Sequence, residues 1–268
     1  MKINPVSSAQ NATLKRIRAL HQRSNRDKEG LFLLEGVKLL NEAYAKGVAV
    51  LDVVVSKSYW TEGMSDVEQS GINELHVVED KVFKELMTTQ TPSGIIAVAK
   101  TNHHALSECI KGDETLIVIG EAIQDPGNAG TLIRAAQAFG ATGVVFTRGS
   151  VDAYNPKVVR GAMGALFSLP VVAGLDIGGA IAQLKQSKLR VVALEPSAGA
   201  TVLSKAKLER PLAIVLGNEG NGLTNDARRA ADELVAIPMD KSIESLNVAV
   251  CGSIVLYECA RHFRTGGC

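Results

Sequence analysis

Aromatic residues make up only 4% of the 268 positions, a scarcity that disfavours an aromatic-rich β-sandwich. The four cysteines, Cys109, Cys251, Cys259 and Cys268, form no CxxC pair, and no histidine pair stands near them at ligand spacing. Neither a zinc site nor any other metal centre is therefore expected, and the thiols read as reduced, mostly core-filling groups. No apolar run reaches the roughly 18 residues a membrane helix needs. The longest, LNVAVCGSIVLYECA, is broken by Asn247, Gly252, Ser253 and Glu258 and suits a buried helix. The opening MKINPVSSAQNATLKRIRAL lacks the apolar core and small-residue cleavage site of a signal peptide, so a cytoplasmic protein without a membrane partner is expected. Charge of one sign is lacking too: the net charge is +1, which argues neither for nor against a polyanionic partner.

What is present is 46% hydrophobic residues and 25 glycines, a balance that favours Val/Ile/Leu/Ala cores with tight turns and leans toward α/β. The charge is unevenly placed. Residues 1–28 carry +6 and the remainder −5. From about Gln10 to Ser24 the pattern puts Leu14, Ile17 and Leu20 on one side and Lys15, Arg16, Arg18 and Arg23 on the others, which predicts a basic helix. Short β-rich runs follow at 31–36, 51–57, 75–80 and 94–100, with helical stretches around 37–46 and 80–88, making a small α/β unit. The polar stretch 101–115 marks a boundary, giving domains 1–105 and 106–268.

The second half repeats a strand-then-helix rhythm: TLIVIG (115–120), GVVFT (143–147), SLPVVAG (168–174), RVVALEP (190–196), LAIVLG (212–217) and ELVAIP (233–238). Near-continuous apolar runs indicate strands covered on both faces, hence a largely parallel sheet. A closing helix is expected from about Ser245 to Phe263.

In such sheets ligands bind beyond the carboxyl ends of the strands. Three segments fit that place. EAIQDPGNAGTLIRAAQAFGA (121–141) has a Pro126-Gly127 turn, Asn128 as a potential cap, and Arg134 about two turns into a helix. LGNEGNGL (216–223) combines three glycines with the lone charge of Glu219. In IPMDKSIESLNVAVCGSIVLYE (237–258), Ser245 and Asn247 stand at the start of a long apolar helix, where capping alone would also explain them. Neither Gly-rich loop matches GxGxxG or GxxxxGK[ST], which disfavours a dinucleotide-binding oxidoreductase and a phosphate-gripping loop.

These three phrases, in this order and spacing, resemble the three motifs of the SpoU (TrmH-like) branch of the SPOUT RNA methyltransferases. The resemblance covers about residues 115–262, and residues 10–100 resemble the substrate-binding domain, similar to ribosomal protein L30e, that some members carry in front. It implies a carboxyl-terminal trefoil knot, otherwise nearly absent from proteins. It also implies S-adenosylmethionine as methyl donor, a ribose 2′-hydroxyl of RNA as acceptor, and a homodimer whose subunits share the active site. Carried over by residue, Asn128, Arg134, Glu219, Ser245 and Asn247 form the catalytic set, and Gly217, Ile237 and Leu246 hold the donor's adenine through their backbone. The resemblance makes Arg134 the proposed catalytic base. Since arginine as a residue type keeps its proton in proteins, a phosphate-binding and alkoxide-stabilising role suits it better. Ribosomal RNA is favoured over transfer RNA by analogy, with Lys15, Arg16, Arg18 and Arg23 as backbone contacts. A non-catalytic ribosome-associated RNA-binding factor is the competing reading, against which the intact motif set speaks.

Overall fold

The computed structural model describes residues 2–6, 10–63, 72, 74–88, 93–197, 199–240, 242–243 and 245–265; Cys268 lies outside them. The chain divides into two units, Met1–Asn102 with Tyr154–Arg160, and His103–Ala153 with Gly161–Cys268.

The first unit holds a five-stranded sheet in the order β1 (Lys2–Val6), β4 (Glu74–Val78), β3 (Val50–Ser56), β5 (Ile95–Lys100), β2 (Leu31–Glu35). β1 was not expected from the sequence. KINPV has too few apolar residues to announce a strand, and it exists because it pairs in parallel with β4 from Lys2 opposite Glu74 to Val6 opposite Val78. Only an edge position accommodates Pro5, which removes a ladder donor. The single basic helix expected over 10–24 is instead two helices, Ala12–Leu20 and Arg23–Glu29. The first starts where Asn11 Oδ1 accepts from Thr13 N at 2.8 Å, and Gln22, in an extended conformation, breaks the pair. Leu14, Ile17 and Leu20 are fully buried, as the expected apolar face of the first helix requires.

The second unit is built on seven strands: β6 (Leu116–Gly120), β7 (Gly143–Thr147), β8 (Val171–Leu175), β9 (Arg190–Leu194), β10 (Thr201–Val202), β11 (Leu212–Leu216) and β12 (Glu233–Ala236). Their order is β10-β12-β9-β11-β6-β7-β8, and every neighbouring pair is parallel. Every residue of β6, β7 and β11 is buried, as the unbroken apolar runs required. Each fully buried aliphatic side chain there contributes on the order of 1.5–3 kcal/mol. Two glycines set how closely elements approach. A Cβ on Gly143 would lie 2.3 Å from Cys109 Sγ, so this glycine makes room for the buried thiol. A Cβ on Gly252 would lie 2.5 Å from Leu132 and 2.8 Å from Leu216, so the last helix, Val248–Thr265, seats directly on the Pro126–Ala138 helix and β11. That helix begins at Val248, later than the expected Ser245, because Asn247 caps it.

The strand order creates a crevice. From β6 the chain steps outward through β7 and β8, returns to β9 on the other side, and inserts β11 between β6 and β9. Loops leaving adjacent carboxyl ends thus diverge at a topological switch point, where a ligand can enter without disturbing the sheet.

Candidate functional site

The loops after β6 and β11 and the start of the last helix meet in one hydrogen-bond relay. Glu219, after β11, accepts at Oε1 from Asn128 Nδ2 (3.0 Å) and Asp125 N (3.1 Å), and at Oε2 from Gln124 N (3.2 Å). Asn128 in turn accepts at Oδ1 from Asn247 Nδ2 at 2.8 Å. Asn247 Oδ1 accepts from Ala249 N (2.9 Å) and Val250 N (3.2 Å), capping the last helix. Each amide has a forced orientation: the carboxylate accepts only and helix N–H groups donate only, so both asparagines must point their N–H₂ toward Glu219's side of the chain. Asn247 therefore caps a helix and joins the site at once. Asn128, expected as a cap, is not one. Asp125 Oδ1 accepts from Asn128 N at 2.9 Å and caps the Pro126–Ala138 helix, with Pro126 inside its first turn rather than in a preceding turn.

Burial pushes the Glu219 carboxyl up, but the bonds from Asn128 and from the backbone N–H groups of the site, those of Asp125 and Gln124 among them, outweigh it and hold its pKa below the ordinary glutamate value. A lowered folded value means the relay's contribution to stability is complete above the unfolded pKa and is lost as pH falls through the folded one. Urea unfolding of wild type and Glu219→Gln should therefore differ at neutral pH and converge in acid. The amide would also turn a donor toward backbone donors. An equal difference at every pH would show that the charge is not involved.

Behind the relay lies a cavity of about 560 Å³, within the range of small-molecule sites. The carboxyl ends of four adjacent strands supply its floor, through Val235 of β12, Leu194 of β9, Leu216 of β11 and, beyond β6, Asp125. Gly217, Ile237, Ser245 and Leu246, all expected site residues, line it together with Asn128, Glu219 and Asn247. Gly217 is indispensable to the wall: a Cβ there would lie 2.4 Å from Gly222 C and 2.5 Å from Leu223 N. Asn218 closes this loop, accepting at Oδ1 from Gly220 N and Asn221 N (both 3.0 Å) and donating from Nδ2 to Ala122 O at 2.7 Å. The cavity also takes in Asp125 and Glu195, and no Lys, Arg or His among the described residues. Cys251 lines it as well, its thiol raised by burial, whereas Cys109 and Cys259 are buried in the core with thiols pushed up to about 11 and about 12.

Arg134 is placed elsewhere. It does not line the cavity, is exposed, and makes no hydrogen bond or ion pair with the described residues of its chain. Six residues beyond buried Asn128, it sits roughly 120° around the helix from it. In the first unit, Lys15 is exposed, while Arg16 Nη1 is held by Asp52 at 2.9 Å and its Nε lies 3.7 Å from Glu29. Arg18 lies 3.8 Å from Glu85, and Arg23 pairs at 3.5 Å with Asp27 on the same helix, both side chains being open to solvent. Arg26, counted in the basic arm, is buried and donates to Leu20 O (2.7 Å) and His21 O (2.9 Å). Its charge serves the fold.

The sequence model of the SpoU rRNA Methylase family matches residues 115–257, more than half of the chain, and that of the MRM3-like substrate binding domain matches residues 11–97. The chain belongs to the SpoU rRNA methylase family. It is 32% identical over 252 residues to the 23S rRNA (guanosine(2553)-2′-O)-methyltransferase RlmP of Bacillus subtilis, covering 94% of this chain and 97% of that one. The SpoU methyltransferase AviRb from Streptomyces viridochromogenes, solved in complex with the cofactor AdoMet, superposes with a TM-score of 0.85 at 27% identity, over 95% of this chain and 99% of that one. An AdoMet-bound rRNA methyltransferase from Sinorhizobium meliloti gives 0.84 at 28%, over 97% and 98%. Three further residues support this SpoU site and were missed in the sequence. They are Asn218; buried Glu121, which accepts from Thr224 Oγ1 (2.6 Å) and N (3.0 Å) and so anchors the far end of the Gly217–Thr224 loop; and Thr147, whose Oγ1 accepts from Ala122 N at 3.0 Å. The only signal was Glu121 itself, an acid directly after an apolar strand.

Proposed function

We propose that this protein transfers a methyl group from S-adenosylmethionine to a ribose 2′-hydroxyl of ribosomal RNA. One observation carries the reading: the three SpoU segments, far apart in sequence, converge on a single acidic cavity tied together by the Glu219–Asn128–Asn247 relay. The cavity suits the donor chemically. Its apolar strand ends and the backbone of Gly217, Ile237 and Leu246 offer an adenine apolar contact and peptide groups, and its carboxylates suit a cationic sulfonium while repelling anionic nucleotides. When bound, the donor supplies an electrophilic methyl on a positively charged sulfur.

This chain's residues do the positioning. An in-line displacement gains several kcal/mol, up to roughly 7–11, from alignment alone, and the relay holds the three loops that supply it. The Arg134 guanidinium binds the phosphate beside the target ribose and stabilises the oxygen as its proton leaves to water or to that phosphate. Since Arg134 does not line its own cavity, the second copy in a homodimer delivers it. Exposed Ile243, Val250 and Tyr257, the last two on one helix face, form the apolar surface on which the copies meet. The same reading gives the last segment a trefoil knot and the enzyme a cytoplasmic location.

The first unit binds the RNA backbone through Lys15, Arg18 and Arg23, the long pairs of Arg18 with Glu85 and of Arg23 with Asp27 giving way to phosphate, while Arg16 stays with Asp52. Neutralising Lys15, Arg18 and Arg23 should lower the slope of log affinity against log salt by about 0.7 for each lost contact. An unchanged slope would remove these residues from the RNA path. The function itself is tested by mass-spectrometric mapping of ribose methylation in total RNA from cells with and without the gene. One ribosomal 2′-O-methyl mark should disappear; loss from transfer RNA would change the substrate, and loss of none would overturn the reading.

A further inference from the structure

Glu195 stands immediately after β9 and lines the cavity, yet no motif includes it. Its carboxylate is held by Arg228, whose Nε lies 2.8 and 2.9 Å from the two oxygens, and Arg228 Nη1 is itself fixed by Asn225 Oδ1 at 3.1 Å. Arg228 does not line the cavity. It orients the carboxylate from outside and leaves each oxygen acceptor capacity for a ligand, since a carboxylate offers about four lone-pair positions. Asp125 and Glu219, beyond β6 and β11, have no cationic partner among the described residues. The cavity is therefore electrically uneven, compensated at the β9 end and negative at the β6–β11 end.

We infer that Glu195 accepts hydrogen bonds from the ribose hydroxyls of the methyl donor's nucleoside, a binding role that rests on the donor named above. A cationic sulfonium gains most beside the uncompensated carboxylates, whereas at Glu195 a second cation would meet the Arg228 charge. Hydroxyls donate without adding charge. The strand order sets the reach: β9 and β6 are two strand spacings apart, roughly 10 Å, enough for a nucleoside's sugar to lie at one end and its sulfur-bearing tail at the other.

Calorimetry on the intact protein with S-adenosylhomocysteine and its 2′,3′-dideoxyadenosyl analogue tests this. Wild type should prefer the diol about tenfold or more, the effect of losing a hydrogen bond to a charged acceptor. Glu195→Ala should bind the two compounds nearly equally, by losing affinity for the diol alone. Glu195→Gln, which keeps the shape beside Arg228, should lie between them and guards against a misfolded alanine variant. A full diol preference in folded Glu195→Gln and Glu195→Ala would overturn the inference and leave the donor assignment standing. Binding of neither compound to wild type would overturn both.

Discussion

Replacing Arg134 with alanine should lower kcat for RNA ribose methylation by about 10²–10³-fold, the scale of removing one donor that faces developing charge. The dissociation constant of S-adenosylmethionine should not change, because Arg134 does not line the cavity of its own chain. Nor should stability suffer, since the side chain is exposed and holds no partner among the described residues. Arg134→Lys separates two roles. A lysine keeps the charge and can release a proton, so full rescue would favour proton abstraction, and failure would show a need for the planar two-pronged guanidinium. Mixing subunits tests delivery by the second copy. Dimers of Arg134→Ala with Glu219→Ala contain one site with an intact cavity facing an intact arginine, so activity should return on subunit exchange. If arginine and cavity acted within one chain, every site would carry a defect and the mixture would stay inactive.

That Arg134 and Asn128 share a helix but not a face could have been read from spacing. The partnerships could not. Glu219 finds Asn128 across 91 residues and Asn128 finds Asn247 across 119. Sequence supplies their polarity but not which strand ends become neighbours, because that depends on β11 inserting between β6 and β9. The strands were legible where burial on both faces made unbroken apolar runs, as in β6 and β11. They were illegible in β1, an edge strand whose one sheet neighbour among the described residues is β4. The basic arm misled in a related way: composition counts Arg26 as surface charge, while the fold uses it inside to bind the carbonyls where the first helix ends.

Two glycines of one loop should respond very differently to alanine. At Gly217 the added methyl would meet backbone, Gly222 C at 2.4 Å and Leu223 N at 2.5 Å, and backbone cannot swing aside as a side chain can. The Asn218–Gly222 bridge, with N–O distances of 2.9 and 3.0 Å in the two directions, would have to open. Overpacking of this kind costs about 3 kcal/mol, which lowers the melting temperature of a chain this size by about 10 °C. Because the loop carries Glu219, donor binding should be lost with it. Gly222 has φ +66° and open space around its would-be Cβ, so Gly222→Ala incurs only left-handed strain, about 1–2 kcal/mol, and should keep donor affinity. Thermal unfolding with and without S-adenosylmethionine compares the pair. Equal losses in both variants would mean that glycine is needed there for chain freedom, and that the close approach of Gly217 to Gly222 does not hold the cavity wall.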